Sequence, residues 1–268
     1  MDLVALAIAP VAIILFWVYQ KDRYETEPMS LIFRLMAFGA VACLPAAILE
    51  IFAKPILFHK QDGLISMLIY AVFGIGLVEE SCKFIVLRWV TWRNPFFTQR
   101  FDGIVYAVSA SLGFALLENM LYVSSGGVAV GLLRAVTAVP MHTAYGILMG
   151  VQYGRARFSQ PSGQGWSVDL YNGMPPSRPE ENGMNAAPVG TSDGAYRPYR
   201  NMVAGTGSAA TALLWKAALI PSVLHGLYDF FAMASATSKW FLVPFALLLI
   251  GSLSYAFILV TQKSRHPY

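Results

Sequence analysis

Residues 64–90, LISMLIYAVFGIGLVEESCKFIVLRWV, decide how the rest of the chain is read. The stretch before Glu79 carries no charge, then Glu79 and Glu80 stand side by side, and Lys83 and a second apolar run follow. At a rise of about 1.5 Å per residue, a helix of this length crosses a hydrocarbon core about 30 Å thick. An uncompensated charge near the centre of such a helix costs roughly 2.5–3.5 kcal/mol on insertion scales. A helix that keeps two neighbouring carboxylates against that cost keeps them for chemistry or transport.

The remaining chain fits the same solvent. Of its 268 residues 56% are hydrophobic and only 13% charged, with a mean hydropathy of +0.54; soluble domains carry about 25% charged residues. The expected fold is all-α, a polytopic membrane helical bundle of about seven transmembrane helices. Hydropathy places them at residues 3–19, 31–53, 64–90, 101–123, 128–150, 209–236 and 240–261. The first has no basic leader and no small-residue cleavage site, so it is expected to be retained and not removed as a signal peptide. Residues 1–268 are expected to form a single integral membrane domain. Residues 155–205, with QPSGQGWS and NGMPPSRPEENGMN, are rich in Gly, Pro, Ser and Asn and read as a flexible polar loop inserted between spans five and six. There is no internal repeat.

The formal charge of +4 comes without a basic cluster, which argues against a nucleic-acid partner and leaves the bilayer as the expected environment. The basic residues instead mark topology. Lys21 and Arg23 follow span one, Arg88, Arg93 and Arg100 end and follow span three, Arg155 and Arg157 follow span five, and Lys263 and Arg265 follow span seven. The alternate connections hold Lys54, Lys60 and Lys239. The larger set predicts the N-terminus outside, with the C-terminus and the long loop in the cytoplasm. Cys43 and Cys82 both lie in apolar segments, which excludes a disulfide framework, and no CxxC or Cys/His metal signature is present.

The polar residues inside the spans form a short set: Glu50, Glu79, Glu80, Lys83, Glu118, Asn119, Arg134, His142, His225 and Asp229. Glu79 and Lys83 are four apart and Glu80 and Lys83 three apart, so Lys83 can neutralise one carboxylate and leave the other free. The plain alternative is a structural ion pair, which a second adjacent glutamate does not need. In span four, Gly103, Ala107 and Ser111 form a small-residue row that lets another helix approach, ahead of Phe114, Glu118 and Asn119. In span five, His142 shares a row with Gly146, Gly150 and Gly154 and so faces a packed neighbour. In span six, Pro221 precedes His225, and Asp229 one turn on can orient the imidazole.

Together these residues hold the parts of metal-assisted hydrolysis. Glu118, His142 and His225 can bind Zn²⁺ and leave a position for water. Either Glu79 or Glu80 can take the proton of that water and give it to a leaving amine; both can reach Lys83 by spacing, and Glu79 with Glu80 in support is the favoured assignment. Lys83 and Asn119 can orient these groups or stabilise an oxyanion. There is no HExxH, so the site must assemble between helices, and a metal-free route with Glu and His activating water directly stays open. The rival from another class is a proton- or ion-coupled secondary transporter with Glu79, Glu80 and Glu118 as a relay; the odd span count and the missing repeats tell against it. A receptor or scaffold would fit seven spans but has no use for the buried carboxylates.

At these residues the sequence resembles the PrsW family of intramembrane proteases, distant relatives of the CAAX-prenyl-protease (Abi) superfamily. The resemblance rests on EExxK at 79–83, on FxxxEN at 114–119 with Asp102 and Gly103 upstream, on His142 after Pro140, and on HxxxD at 225–229. It covers about residues 64–236, which it marks as the catalytic core helices with a CAAX-protease-like arrangement. It implies a glutamate-dependent intramembrane peptidase, usually described as a metalloprotease, in a bacterial plasma membrane. Glu79, Glu80, Glu118, His142 and His225 carry over as the active constellation, with Lys83, Asn119 and Asp229 supporting. The implied substrate is a membrane protein, in the best-known members an anti-sigma factor cleaved during envelope stress. The CAAX branch has histidine where Glu118 stands and asparagine where Asp229 stands, so prenyl-protein substrates do not transfer.

Overall fold

The computed structural model describes residues 3–22, 26–59, 63–159 and 207–265. Most of the expected 155–205 loop lies outside the described residues. Those described build helices α1 (Leu3–Lys21), α2 (Met29–Leu57), α3 (Gly63–Ile69), α4 (Leu77–Thr91), α5 (Asp102–Val136), α6 (Ala138–Arg157), α7 (Ser208–Ala234) and α8 (Leu242–Lys263). A π-helical segment, Tyr70–Gly76, joins α3 to α4, and a 3₁₀ turn, Lys239–Phe241, leads into α8. Among the described residues there is no strand.

Five helical stretches are long and apolar enough to cross a membrane: Met29–Leu57, Gly63–Thr91, Asp102–Arg157, Ser208–Ala234 and Lys239–Lys263. The third doubles back. Gly127 has φ 72° and ψ −164°, a conformation that lacks the Cβ penalty only for glycine, and it breaks the helical path inside α5. The limb beyond it returns along the one before it, so Arg134 reaches Asn119. Residues 102–157 thus supply both of the limbs expected at 101–123 and 128–150. The returning limb is itself interrupted at Thr137 (φ −118°, ψ −71°), where Pro140 can give no backbone N–H and settles into the first turn of α6. The α1 helix is apolar but shorter in the portion Ala7–Lys21.

Large apolar side chains such as Ile13, Phe33, Ile51, Phe52, Ile56, Leu247 and Ile250 point outward, while Glu79, Glu80, Lys83, Asn119, His142 and His225 are buried. An apolar exterior on this scale needs lipid around it. Inside, the helices approach through small residues. A Cβ on Gly150 would meet Ile104 Cα of α5 at 2.5 Å, and one on Gly103 would meet Gly150 O at 2.8 Å. The α7 helix meets the π segment in the same way, since a Cβ on Gly76 would lie 2.6 Å from Gly226 N. Dispersion between close backbones and interhelical polar contacts drives association where lipid removes the hydrophobic difference.

A separate anchor ties the α1–α2 connection to α5. The Tyr106 hydroxyl donates to the Glu27 carboxylate, and the Tyr19 hydroxyl donates to the Glu27 carbonyl at 3.2 Å. Asp102 Oδ2 accepts the backbone N–H groups of Thr98 and Gln99 at 2.8 and 2.7 Å. Asp22, Glu27 and Asp102 are buried with carboxylate oxygens within 4.8 Å of one another. Burial, then the charge of Asp102 and of Asp22, pushes Glu27 up from 4.5 to about 9, against the opposing hydrogen bond from Tyr106. A raised carboxyl favours the folded state fully below its unfolded pKa, and that contribution fades as pH rises through the folded value. Thermal unfolding in detergent is therefore expected to show stability falling between about pH 4.5 and 9, and Glu27→Gln should flatten that decline. A variant with the wild-type pH profile would remove Glu27 as its source.

Candidate active site

The site begins on α4, where the helical repeat sets Glu79, Glu80 and Lys83 on one buried face. The Lys83 ammonium donates to Glu79 Oε2 at 3.0 Å and to Glu80 Oε1 at 2.7 Å. Lys83 is fully buried. Its Nζ also lies 2.9 Å from His142 Nδ1 on α6 and 4.2 Å from the Phe114 ring centroid on α5. One cation therefore joins two carboxylates, an imidazole and an aromatic face.

His142 is held from its other side. Its Nε2 lies 2.8 Å from Glu118 Oε2. Arg134 NH2 is 2.8 Å from the same oxygen, and Arg134 Nε donates to Asn119 Oδ1 at 2.6 Å. The Asn119 Nδ2 group is buried and makes no hydrogen bond among the described residues.

The α7 helix brings His225 in. Its Nδ1 is 2.9 Å from Glu80 Oε1 and 3.8 Å from Glu79 Oε2, and its Nε2 is 3.3 Å from Asp229 Oδ2. The imidazole stacks on the Tyr145 ring, with centroids 5.0 Å apart and planes 22° apart. It meets the His142 ring edge-on at 5.2 Å. Tyr145 in turn donates its hydroxyl to the Leu224 carbonyl at 3.3 Å.

All eight residues singled out in the sequence, Glu79, Glu80, Lys83, Glu118, Asn119, His142, His225 and Asp229, thus fall in one connected network across α4, α5, α6 and α7. The donor atoms close enough to share one metal ion belong to Glu79, Glu80, His142 and His225, all within 4.8 Å of one another. Glu118 stands apart from that quartet, on the opposite nitrogen of His142. Two imidazoles and two carboxylates match what a zinc-type cation prefers, and Glu80 Oε2 is buried without a hydrogen-bond partner among the described residues.

Two members had no assigned role in the sequence. Arg134 was visible only as an intramembrane charge, because its partners lie across the Gly127 reversal. Tyr145 had a signal: it follows His142 by three residues and so shares its face.

The family model described as PrsW family intramembrane metalloprotease matches residues 27–174, a range that holds Glu79, Glu80, Glu118 and His142 but stops short of His225. Protease PrsW of Oceanobacillus iheyensis is 38% identical over 157 residues, covering 59% of this chain and 70% of its own. Protease PrsW of Bacillus subtilis is 28% identical over 247 residues, 92% of this chain and 90% of its own. That of Geobacillus kaustophilus is 27% identical over 249 residues, 92% and 87%. No solved structure matches. The molecule is thus an integral membrane enzyme, an intramembrane protease. The chain belongs to the PrsW family, which removes the transporter alternative.

Arg134 gives the site its first test. Arg134→Ala strips Glu118 and Asn119 of their cation, and loss of a partner that orients an imidazole of the candidate site is expected to cost about 10–100-fold. Proteolytic turnover should fall by that factor, with partial recovery in Arg134→Lys. Full activity in Arg134→Ala would show that Glu118 holds His142 unaided.

Proposed function

We propose that this enzyme cleaves a membrane-spanning protein substrate at a hydrolytic centre built from Glu79, Glu80, His142 and His225, within the helices of residues 64–236 of a single membrane domain. The observation that carries this reading is the buried quartet of donors gathered from α4, α6 and α7. Glu80, His142 and His225 would hold a divalent cation, Zn²⁺ by donor chemistry, leaving a position open for water beside Glu79, the fourth member of the quartet. Such a cation, when bound, polarises the scissile carbonyl and sharpens the water as a nucleophile.

Glu79 is the general base. Glu80 is fully buried and committed to both Lys83 and His225, whereas Glu79 is 4% exposed and hydrogen-bonds only Lys83. Glu79 takes a proton from water as the oxygen attacks the peptide carbonyl, then delivers it to the leaving amine. Lys83 keeps the two carboxylates side by side without mutual repulsion. Glu118, braced by Arg134, fixes the His142 ring, and Asp229 with Tyr145 fixes that of His225. The spare Asn119 Nδ2–H is a donor for the oxygen that becomes negative in the tetrahedral stage.

The basic residues Lys21, Arg88, Arg93, Arg155, Arg157 and Lys263 orient the chain with its N-terminus outside and its C-terminus and the 155–205 segment in the cytoplasm. A bacterial plasma membrane and an anti-sigma factor substrate are the setting that the family likeness favours.

The decisive comparison is fragment proteomics of membrane proteins in cells with the wild-type gene, without it, and with Glu79→Gln. Fragments should appear only with wild type, since removing a general base costs about 10²–10⁴-fold. His142→Ala should behave alike, with both variants accumulating at wild-type level. Undiminished cleavage by both would end the assignment of this centre. Metal analysis of active, purified enzyme should give about one zinc per chain, lost in His142→Ala. Active protein without metal would instead establish direct water activation by glutamate and histidine.

A further inference from the structure

The lipid-facing side of α4 beyond the glutamates carries a second feature that proteolysis does not use. A groove of about 560 Å³ is lined by Phe84, Ile85, Arg88, Trp89, Trp92 and Arg93. We infer that this groove binds an anionic phospholipid, its phosphate between Arg88 and Arg93 and its acyl region along Phe84, Ile85 and Trp89.

The position fits a headgroup. The groove spans the last turns of α4, which ends at Thr91, and the turn that follows it. Tryptophan is enriched where a spanning helix leaves the hydrocarbon, because an indole is apolar in body and carries one polar N–H. Trp89 and Ile85 are 70% and 63% exposed, presenting the apolar half of the groove to lipid. The volume falls in the range of ordinary ligand pockets, about 300–1,000 Å³.

The charge is complementary to phosphate. The lining contains two guanidinium groups and no carboxylate. Among the described residues neither Arg88 nor Arg93 has a carboxylate within ion-pair distance, unlike Lys83 and Arg134 in the interior. Arginine at such a level can meet phosphate oxygens with two parallel N–H groups. A zwitterionic headgroup brings its own cation to the same place and loses part of that attraction.

The walls are fixed. The Arg88 guanidinium lies 4.5 Å over the Trp92 ring. Trp92 packs at 5.3 Å against Tyr153 of α6, whose hydroxyl is 2.9 Å from that of Thr91. Trp89 meets Phe38 of α2 edge-on at 5.0 Å. The site therefore needs little ordering when it is filled. It sits on the helix that carries Glu79 and Glu80, about 12 Å further along the axis at 1.5 Å per residue.

The test is native mass spectrometry of the full-length protein in detergent, offered equal amounts of phosphatidylglycerol and phosphatidylcholine. Each basic residue near an anionic lipid surface is worth roughly fivefold, so wild type should favour phosphatidylglycerol about thirtyfold. Arg88→Gln with Arg93→Gln should bring the ratio near unity while keeping a monodisperse elution profile. Should the double variant fail to purify, Arg93→Gln, outside the helix, should lower the preference about fivefold. Equal binding of the two lipids by wild type overturns the inference, as does a preference that survives loss of both arginines. Displacement of the lipid by excess inorganic phosphate overturns it too, since that would make the groove a site for the free anion.

Discussion

The buried ammonium of Lys83 is the charge around which the interior is arranged. Removing an ion from water costs several kcal/mol even after relaxation, and only close partners recover it. Lys83 has Glu79 and Glu80 within its own helix, His142 from α6 and the Phe114 face from α5. The reverse dependence is as strict. Two adjacent carboxylates in an apolar bundle repel each other, and without Lys83 one of them would have to be expelled from the site or take up a proton. The helix alone supplies the first two contacts. The others exist only if α5 and α6 come close enough, which makes the chemistry a condition on the packing.

Glycine meets that condition. The α6 helix carries His142, Gly146, Gly150 and Gly154 on one row, and the last three accept the backbone of α5 or the loop before it. His142 then sits where the row ends, beside Lys83 and Glu118. The α7 helix repeats the device with Gly226 against the π segment, and His225, one residue earlier, arrives at Glu80. The π segment widens the turn just before the glutamate pair. Such segments recur at functional sites because they redirect side chains within a continuous helix. The same close approaches exclude lipid from the centre, so the polar groups face one another and not hydrocarbon.

Much of this was legible in the sequence because it is periodic. The spacing of Glu79, Glu80 and Lys83 fixes their meeting, and the rows 103-107-111 and 142-146-150-154 announce a tight α5–α6 pair. Helix limits followed from hydropathy to within about four residues, except that the fifth expected span runs on past residue 150 to Arg157. Three features were not periodic and were missed. The π segment in YAVFGIG has no compositional mark. The reversal at Gly127 was legible as a loop, but Arg134 finding Glu118 depends on how the returning limb is rotated. The division of His142 between Lys83 and Glu118 requires knowing which ring nitrogen faces which helix. That last detail matters most, since it separates Glu118 from the donors that can share a cation.

The network holds four carboxylates, Glu79, Glu80, Glu118 and Asp229, against two permanent cations, Lys83 and Arg134. A low-dielectric interior does not tolerate an uncompensated deficit of that size. His225 lies between carboxylates and can offset one charge by donating from both nitrogens, whereas His142 accepts from Lys83 at Nδ1 and adds no charge. A divalent cation among Glu79, Glu80, His142 and His225 would offset all of it and leave both rings neutral, the form in which imidazoles bind metal. Lys83 then acquires a second meaning. Its ammonium lies within 3.0 Å of three of the four candidate ligands, so it holds the donors together by the same attraction that a metal would exert.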